Sequence, residues 1–361
     1  MTGLNSARVV VTGAGALGAS VSLALAEAGA RVVMADPAAL GDNASGVAAG
    51  MLAPAFEAVL DEGSAAHFPL LQAARALWPE RAAGLGEIGL HRSGAVWIDL
   101  PGAAPLIEAY GRDLAALGAQ AERLSSEALR SRIPGLAPGL GPGLFTAEDW
   151  RLEPRAALTA LHAAALAAGV RIVAQSVLAF APGAATLSDG ETEAADLLVL
   201  ATGARTSGLA PELAALSPIK GQILTYAGAS AAEHQPALRC QGGYAVPARG
   251  GLRVGATMEP GLADRRATPA LTAPFTRLAG QLFPALDGAP FSVQAGVRAA
   301  TPDGLPLVGP SALDGVFLAT GARRNGWLLA PLVARMLAAY LSDRDPGPFA
   351  GLLAPRRFAP S

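Results

Sequence analysis

The chain has 361 residues, a formal net charge of −2 and a single cysteine, Cys240. Near-neutral charge gives no general attraction to nucleic acid or anionic lipid, and one cysteine excludes an internal disulfide framework and fits a reducing compartment. With 52% apolar and only 16% charged residues, the composition is that of a compact globular protein long enough for two domains.

In chain order, Arg8–Thr12 reads as a strand, Gly13-Ala-Gly15-Ala-Leu-Gly18 as a tight turn into an Ala/Leu-rich helix, and Arg31–Ala35 as a second strand closed by Asp36 and Pro37. Gly13 allows the turn, Gly15 lets a pyrophosphate approach the backbone, and Gly18 lets the helix pack on the strand. Unpaired N–H groups at the helix start favour phosphate, and Asp36 is placed to accept from ribose hydroxyls. This fingerprint leaves NAD and FAD both open. Because the first apolar run is this strand, no signal peptide is expected. The runs near Ala156–Val170 and Trp327–Leu341 are too short or carry arginine, so no membrane span is expected and the cytoplasm is the expected location.

Small residues dominate Gly41–Pro54, where the backbone can lie against a flat ring without steric cost. Helical spacing predicts one helix over Ser64–Gly84, then a strand at Gly94–Leu100 and helices over Ala104–Leu117 and Ser125–Ile133. Pro134–Gly143 reads as a linker. A helix over Glu153–Ala168 precedes a short strand at Val170–Val173. Asp196–Ala201 is a fully apolar strand running into Thr202-Gly203, the pattern of a strand buried on both faces. From Ile219 to Gly255 the texture is of short alternating strands. A helix at Pro274–Phe283, strands at Phe291–Arg298 and Gly315–Gly321, and a closing helix over Gly326–Leu341 complete the reading. The expected fold is α/β (α+β). Residues 1–88, 144–212 and 296–361 form a Rossmann-like dinucleotide domain, and residues 89–143 and 213–295 an interleaved antiparallel-sheet substrate domain.

Three further stretches carry a family resemblance: Ala44-Ser45-Gly-Val-Ala-Ala49-Gly50-Met51-Leu-Ala-Pro54, Pro218-Ile-Lys220-Gly221-Gln222, and Ala295–Pro306 taken with Gly321–Pro331. Together with the glycine turn they resemble the D-amino-acid oxidase superfamily of FAD-dependent oxidoreductases, and within it the glycine oxidases of thiamine biosynthesis, over essentially the whole chain. The resemblance implies FAD, with Gly13, Gly15, Ala16, Leu17 and Gly18 at the pyrophosphate and Asp36 with Pro37 at the adenosine ribose. It places Ala44, Ser45, Ala49, Gly50 and Met51 along the cofactor, Val177 near the adenine, and Gly203 at the second glycine turn. Arg324, Asn325, Gly326, Trp327 and Leu328 come beside the flavin ring. A helix starting at Gly326 would aim its positive end at that ring, with Asn325 as its cap.

By the same resemblance Arg298 pairs with a substrate carboxylate, Tyr244 donates its hydroxyl to it, Arg324 is a second cation there, and Met258 lies against the substrate. Arg323 is adjacent and able to exchange roles with Arg324. The implied reaction is oxidation of a small amino acid, glycine first and then sarcosine or a small D-amino acid, to the 2-oxo acid, ammonia and hydrogen peroxide, with molecular oxygen as acceptor. It would supply thiazole synthesis, and the enzyme would be a homo-oligomer with no nucleic-acid partner. Alternatives are a dehydrogenase using another acceptor, a tRNA-modifying flavoprotein relative, or an NAD-dependent dehydrogenase.

Two departures from the family pattern stand out. Ala322 and Arg323 replace a His-aromatic pair, and Ala299-Ala300-Thr301 lacks the cysteine that tethers flavin in some relatives, so noncovalent FAD is expected. The histidines His67, His91, His162 and His234 sit in none of these motifs and read as surface or packing residues. No metal-ligand spacing, nucleophile elbow or Walker lysine occurs.

Overall fold

The first strand is buried on both faces. Val9 and Val11 face a core of helices, while Val10 faces a second apolar layer. The computed structural model describes residues 4, 6–61, 63–205, 208–229 and 234–358. In it, Arg8–Thr12 lies parallel to both Arg31–Ala35 and Leu197–Leu200 inside a six-stranded sheet. Arg171–Val173 closes one edge, and Val316–Thr320 followed by antiparallel Leu307–Pro310 closes the other. β-Branched and leucine side chains suit such doubly covered strands.

Helices Ala16–Glu27, Pro154–Ala167 and Gly326–Leu341 cover one face. Over the other lies a three-stranded sheet, Val177–Ala181, Gly183–Leu187 and Thr192–Ala195, whose Val177, Ala185 and Leu187 pack with Val10 and Leu198. Each fully buried valine or leucine contributes about 1.5–3 kcal/mol to this arrangement. The three-stranded sheet is absent from the sequence expectation. Its strands are short, and exposed positions carry apolar residues such as Leu178, so their polar–apolar alternation is weak.

The second unit is a nine-stranded sheet. From one edge it runs Glu259–Pro260, Ser217–Ala227, Gly251–Gly255, Gly243–Ala248, Ala237–Cys240, Ala95–Ile98, Gly143–Thr146, Glu122–Leu124, with Ser292–Ala300 also paired to Ser217–Ala227. All its pairings are antiparallel except Ala237–Cys240 with Ala95–Ile98. Helix Ala273–Leu282 covers one face through Phe275, Leu278 and Leu282. Helices Pro54–Leu60 and Ile107–Ala116 lie against the other, beside Trp97 and Ile223.

Three sequence expectations change. Ser64–Gly84 is not one helix: a 3₁₀ turn leads into Phe68–Ala76 and Trp78–Ala83, each with a proline in its first turn, Pro69 and Pro79. Proline suits that position and breaks the turn before it. Pro134–Gly143 is not a free linker, because Leu136 and Leu140 are buried in the core of the second sheet. Two domain boundaries also move. Gly143–Thr146 pairs with Ala95–Ile98, so the chain leaves the second sheet after Thr146 and not before residue 144. Ser292–Ala300 pairs along its length with Ser217–Ala227, which carries residues 296–300 into that sheet.

Candidate active site

Where the units meet, two cavities of about 390 and 530 Å³ share Ala44, Ser45, Arg298, Arg323 and Gly326 in their walls. The smaller one lies over the glycine turn. Gly13 has φ +96°, and a Cβ there would stand 2.3 Å from the Ala201 carbonyl oxygen. A Cβ on Gly18 would stand 1.9 Å from the Gly13 oxygen, so the helix needs glycine to seat on the turn. Gly13, Gly15, Ala16, Leu17, Asp36, Pro37, Val177 and Gly203 line this cavity. Gly18 does not, and its part is packing.

Asp36 accepts from the Ala14 and Ala38 amides (2.8 and 2.9 Å), which orients the carboxylate and leaves it lone pairs for a hydroxyl. Ser45 Oγ accepts from the Ala16 amide at the helix start (2.9 Å) and so ties the Ala44–Val47 helix to the turn. His162, from the neighbouring helix, is buried and donates from Nε2 to the Ala14 carbonyl (2.9 Å). It is a packing residue, as its sequence context suggests, but one that holds the glycine turn.

The larger cavity is floored by a row of residues directly opposite one another on successive strands: Trp97, Arg239, Tyr244, Gly255 and Ile223. Arg298 reaches across the same floor. A Cβ on Gly221 would stand 2.2 Å from its Nη1, so the missing side chain is what gives the guanidinium its place. Nη1 of Arg298 contacts only the Thr257 carbonyl and Met258 Sδ, both at 3.4 Å, and no carboxylate among the described residues pairs with it. Burial lowers its pKa from the ordinary arginine value, partly offset by Tyr244. The Tyr244 phenol is raised by burial, so it stays protonated as a donor.

Arg324 behaves differently. Its Nε donates to Glu57 (2.9 Å) and its Nη2 to Asp61 (2.6 Å), while Arg323 also pairs with Asp61 (2.8 Å). Glu57 is completed by Arg239 at 2.5 Å. Burial works to raise the Glu57 carboxyl, but Arg239 and Arg324 overcome it and hold it down at about 2. Neither Glu57, Asp61 nor Arg239 stands out in the sequence, since nothing in their local spacing marks them. Their link is the tertiary approach of helix Pro54–Leu60 to the second sheet.

Ala49, Gly50, Met51, Met258, Arg324, Asn325 and Trp327 also line the larger cavity. Leu328 lines neither. Its side chain is fully buried and its carbonyl accepts from Trp78 Nε1 (3.3 Å), so any contact with a ligand is through its backbone N–H. Asn325 precedes the helix, but its side chain makes no capping bond, which leaves the first-turn N–H groups directed at the cavity junction without a side-chain partner. Trp327 Nε1 donates to the Ser45 carbonyl (3.0 Å) and fixes that helix start against the Ala44–Val47 segment.

Residues 8–340 match the family model described as "FAD dependent oxidoreductase". The chain belongs to this family. As an FAD-dependent oxidoreductase it is 31% identical to glycine oxidase of Pseudomonas aeruginosa, over 99% of each chain. It is 28% identical to glycine oxidase of Geobacillus kaustophilus over 93% of each. The crystal structure of the Geobacillus kaustophilus glycine oxidase superposes with a TM-score of 0.88 at 26% identity, covering 98% of this chain and 100% of that one. The cofactor is therefore FAD, and a reading as an NAD-dependent dehydrogenase is overturned.

The residues fit FAD. A backbone cradle built on Gly13 and Gly15 adjoins a carboxylate for ribose, and the joined cavities run on to the start of helix Gly326–Leu341. Cys240 lines the larger cavity, but burial pushes its thiol up to about 12. A thiol so held is protonated and a poor nucleophile. No described helix is long and apolar enough to cross a membrane, and no metal-holding cluster of His, Cys, Asp or Glu occurs among the described residues.

Proposed function

We propose that this flavoprotein oxidises glycine to glyoxylate, ammonia and hydrogen peroxide, with small D-amino acids giving their 2-oxo acids and ammonia, and sarcosine giving glyoxylate and methylamine, as secondary reactions. The observation that carries the reading is Arg298, a guanidinium in the cavity floor with no acid partner among the described residues, beside the Tyr244 hydroxyl. A planar fork next to a phenol donor suits one carboxylate held in two directions. Curated relatives named glycine oxidase, and a bifunctional ThiO/ThiG protein of Synechocystis 34% identical over 65% of this chain and 37% of its own, support both the substrate and a place in thiamine biosynthesis.

In this reading Gly13, Gly15, Ala16 and Leu17 hold the pyrophosphate and Asp36 with Pro37 the adenosine ribose. Val177 and Gly203 border the adenosine end, while Ala44, Ser45, Ala49, Gly50 and Met51 run along the ribityl chain and ring. The first-turn N–H groups from Gly326 to Leu328, which have no side-chain cap, would favour negative charge on a flavin ring bound at that helix start. When bound, FAD takes up the hydride from the substrate Cα.

The chain's own residues supply alignment. Arg298 and Tyr244 fix the carboxylate, and Met258 borders it. Arg324 adds positive field while held by Glu57 and Asp61. No acid in the cavity wall is placed to act as a base, because Glu57 and Asp61 are both tied in arginine pairs and Glu57 is held ionised. The amine therefore reacts from its neutral form, and catalysis rests on orientation. We further propose molecular oxygen as the acceptor, a cytoplasmic homo-oligomer, and no nucleic-acid partner.

A peroxide-coupled assay across glycine, sarcosine, D-alanine and D-proline tests the substrate. The expected result is peroxide formation with glycine among the best. Reduction of the flavin by glycine without peroxide makes the enzyme a dehydrogenase, and no reduction by any of the four overturns the reading.

A further inference from the structure

With no acid partner among the described residues, Arg298 takes its direction from what it rests against. Below its guanidinium is the bare backbone of Gly221, and beside it are the Thr257 carbonyl and Met258 Sδ. Thr257 belongs to no strand, lying between Gly251–Gly255 and the two-residue strand Glu259–Pro260. Three hydrogen bonds fix it all the same. Its amide donates to the Gln222 carbonyl (3.2 Å) and its Oγ1 accepts from the Gln222 amide (2.8 Å). The same hydroxyl donates to Glu259 Oε1.

The Gln222 side chain closes this arrangement. It is fully buried, its Nε2 donates to the same Glu259 oxygen (2.8 Å), and its Oε1 accepts from the Thr268 amide (2.6 Å). One residue therefore holds both ends of the segment 257–268, and Lys220, two positions earlier, donates to Asp264 between them (2.8 Å). Side chains alternate across a strand, so Lys220 and Gln222 point away from the face on which Gly221 makes room for Arg298. Neither Gln222 nor Glu259 lines a cavity. A buried polar network with its bonds made gives rigidity, and here that rigidity lies directly behind the wall that Arg298 touches.

We propose that Gln222 and Glu259 are positioning residues for Arg298: through Thr257 they set the wall against which the guanidinium lies, and so the direction in which it meets a carboxylate. The inference rests on the proposed function, in which Arg298 takes the substrate carboxylate. A hydrogen bond lost from this network lets the backbone at 257–258 move, and a guanidinium with no acid to fix it follows. Only Oε1 of Glu259 is engaged, since Oε2 is buried without a hydrogen-bond partner. The part of Glu259 is thus to accept two hydrogen bonds on one oxygen, which a glutamine amide oxygen also does, and its charge is not required.

The test is titration of the holoenzyme's flavin absorbance with acetate, with flavin content and melting temperature recorded for each variant. Thr257→Val and Glu259→Leu are expected to raise the acetate Kd by about tenfold, because a small misplacement of an orienting group is costly. Glu259→Gln is expected to stay within about twofold of the wild type, since it keeps the accepting oxygen. A network that only supports the fold would lower the melting temperature and leave the acetate Kd unmoved, and that result overturns the inference. So does a Glu259→Gln protein as weak in acetate binding as Glu259→Leu. Should Glu259→Leu not fold, Thr257→Val decides alone, because it keeps the shape and the backbone carbonyl of Thr257. Arg298→Ala separates the two readings. No acetate response in the wild type, or an undiminished one in Arg298→Ala, sinks the carboxylate reading and this inference with it. Weakened binding in Arg298→Ala beside unchanged binding in Thr257→Val and Glu259→Leu sinks only the inference.

Discussion

The two cavities bind by opposite means. Over the six-stranded sheet, recognition is by backbone: a glycine turn, the amides at a helix start, and one carboxylate steadied by two N–H groups. Over the nine-stranded sheet it is by long side chains from strands far apart in sequence, held by a buried network of arginines and acids. In the proposed reading the first design holds the cofactor and so demands shape. The second meets a small ligand that comes and goes, and it demands charge in a defined direction. Substitutions in the first should therefore act on flavin content, and in the second on kinetics or pH dependence with flavin retained.

The largest effect is expected from Gly18→Ala. The new Cβ would sit 1.9 Å from a backbone oxygen, which no side-chain movement relieves. A cost above about 4 kcal/mol is expected, read as a protein purified without flavin. A yellow Gly18→Ala protein of wild-type stability would break the contrast at its first term. Arg298→Ala comes next. Loss of a charge-assisted pair of about 3 kcal/mol lowers kcat/KM by about 10²-fold, with the flavin-to-protein ratio unchanged. Unaltered kcat/KM would take Arg298 out of the site.

Glu57→Gln follows. The Glu57 carboxyl lies below its ordinary value of 4.5, at about 2, so its ionised form stabilises the fold. That contribution is complete above pH 4.5 and is lost as pH falls toward 2. It amounts to about 3 kcal/mol. Melting temperatures across pH 2–6 should show an acid-side slope in the wild type that is shallower in Glu57→Gln. Equal slopes would mean that the arginine network does not hold Glu57 as described. The smallest effect is expected from Gly221→Ala, where the clash is with the end of a flexible side chain. The fold and flavin survive, Arg298 shifts, and kcat/KM falls by about tenfold or somewhat more. A loss equal to that of Arg298→Ala would show that Arg298 is expelled altogether.

The same contrast explains what could be read from the sequence. The glycine turn, Asp36 and helix Gly326–Leu341 are local features whose spacing is their geometry, so Gly13–Asp36 is recognisable within thirty residues. Arg298 and Tyr244 are visible only through family resemblance, because strand position alone does not distinguish a functional arginine from a surface one. Glu57, Asp61 and Arg239 were beyond reach. Their meaning lies in ion pairs spanning nearly two hundred residues or more, such as Arg239 with Glu57 and Arg324 with Glu57. The three-stranded sheet at Val177–Ala195 was missed for a related reason, since a half-exposed strand of four or five residues carries little periodic signal. Asn325 shows the converse error: a good capping residue in the right place whose side chain does not cap.

The six-stranded sheet is assembled out of sequence order, with Val316–Thr320 beside Leu197–Leu200, which in turn lies beside Arg8–Thr12. The last long helix, Gly326–Leu341, packs on the first, Ala16–Glu27. During synthesis the nascent chain therefore carries its phosphate-binding turn from the outset but lacks the partners that bury it until residue 341 has left the ribosome. A ribosome stalled before Gly326 should hold a colourless nascent chain, and yellow colour marks a molecule made to the end of its closing helix.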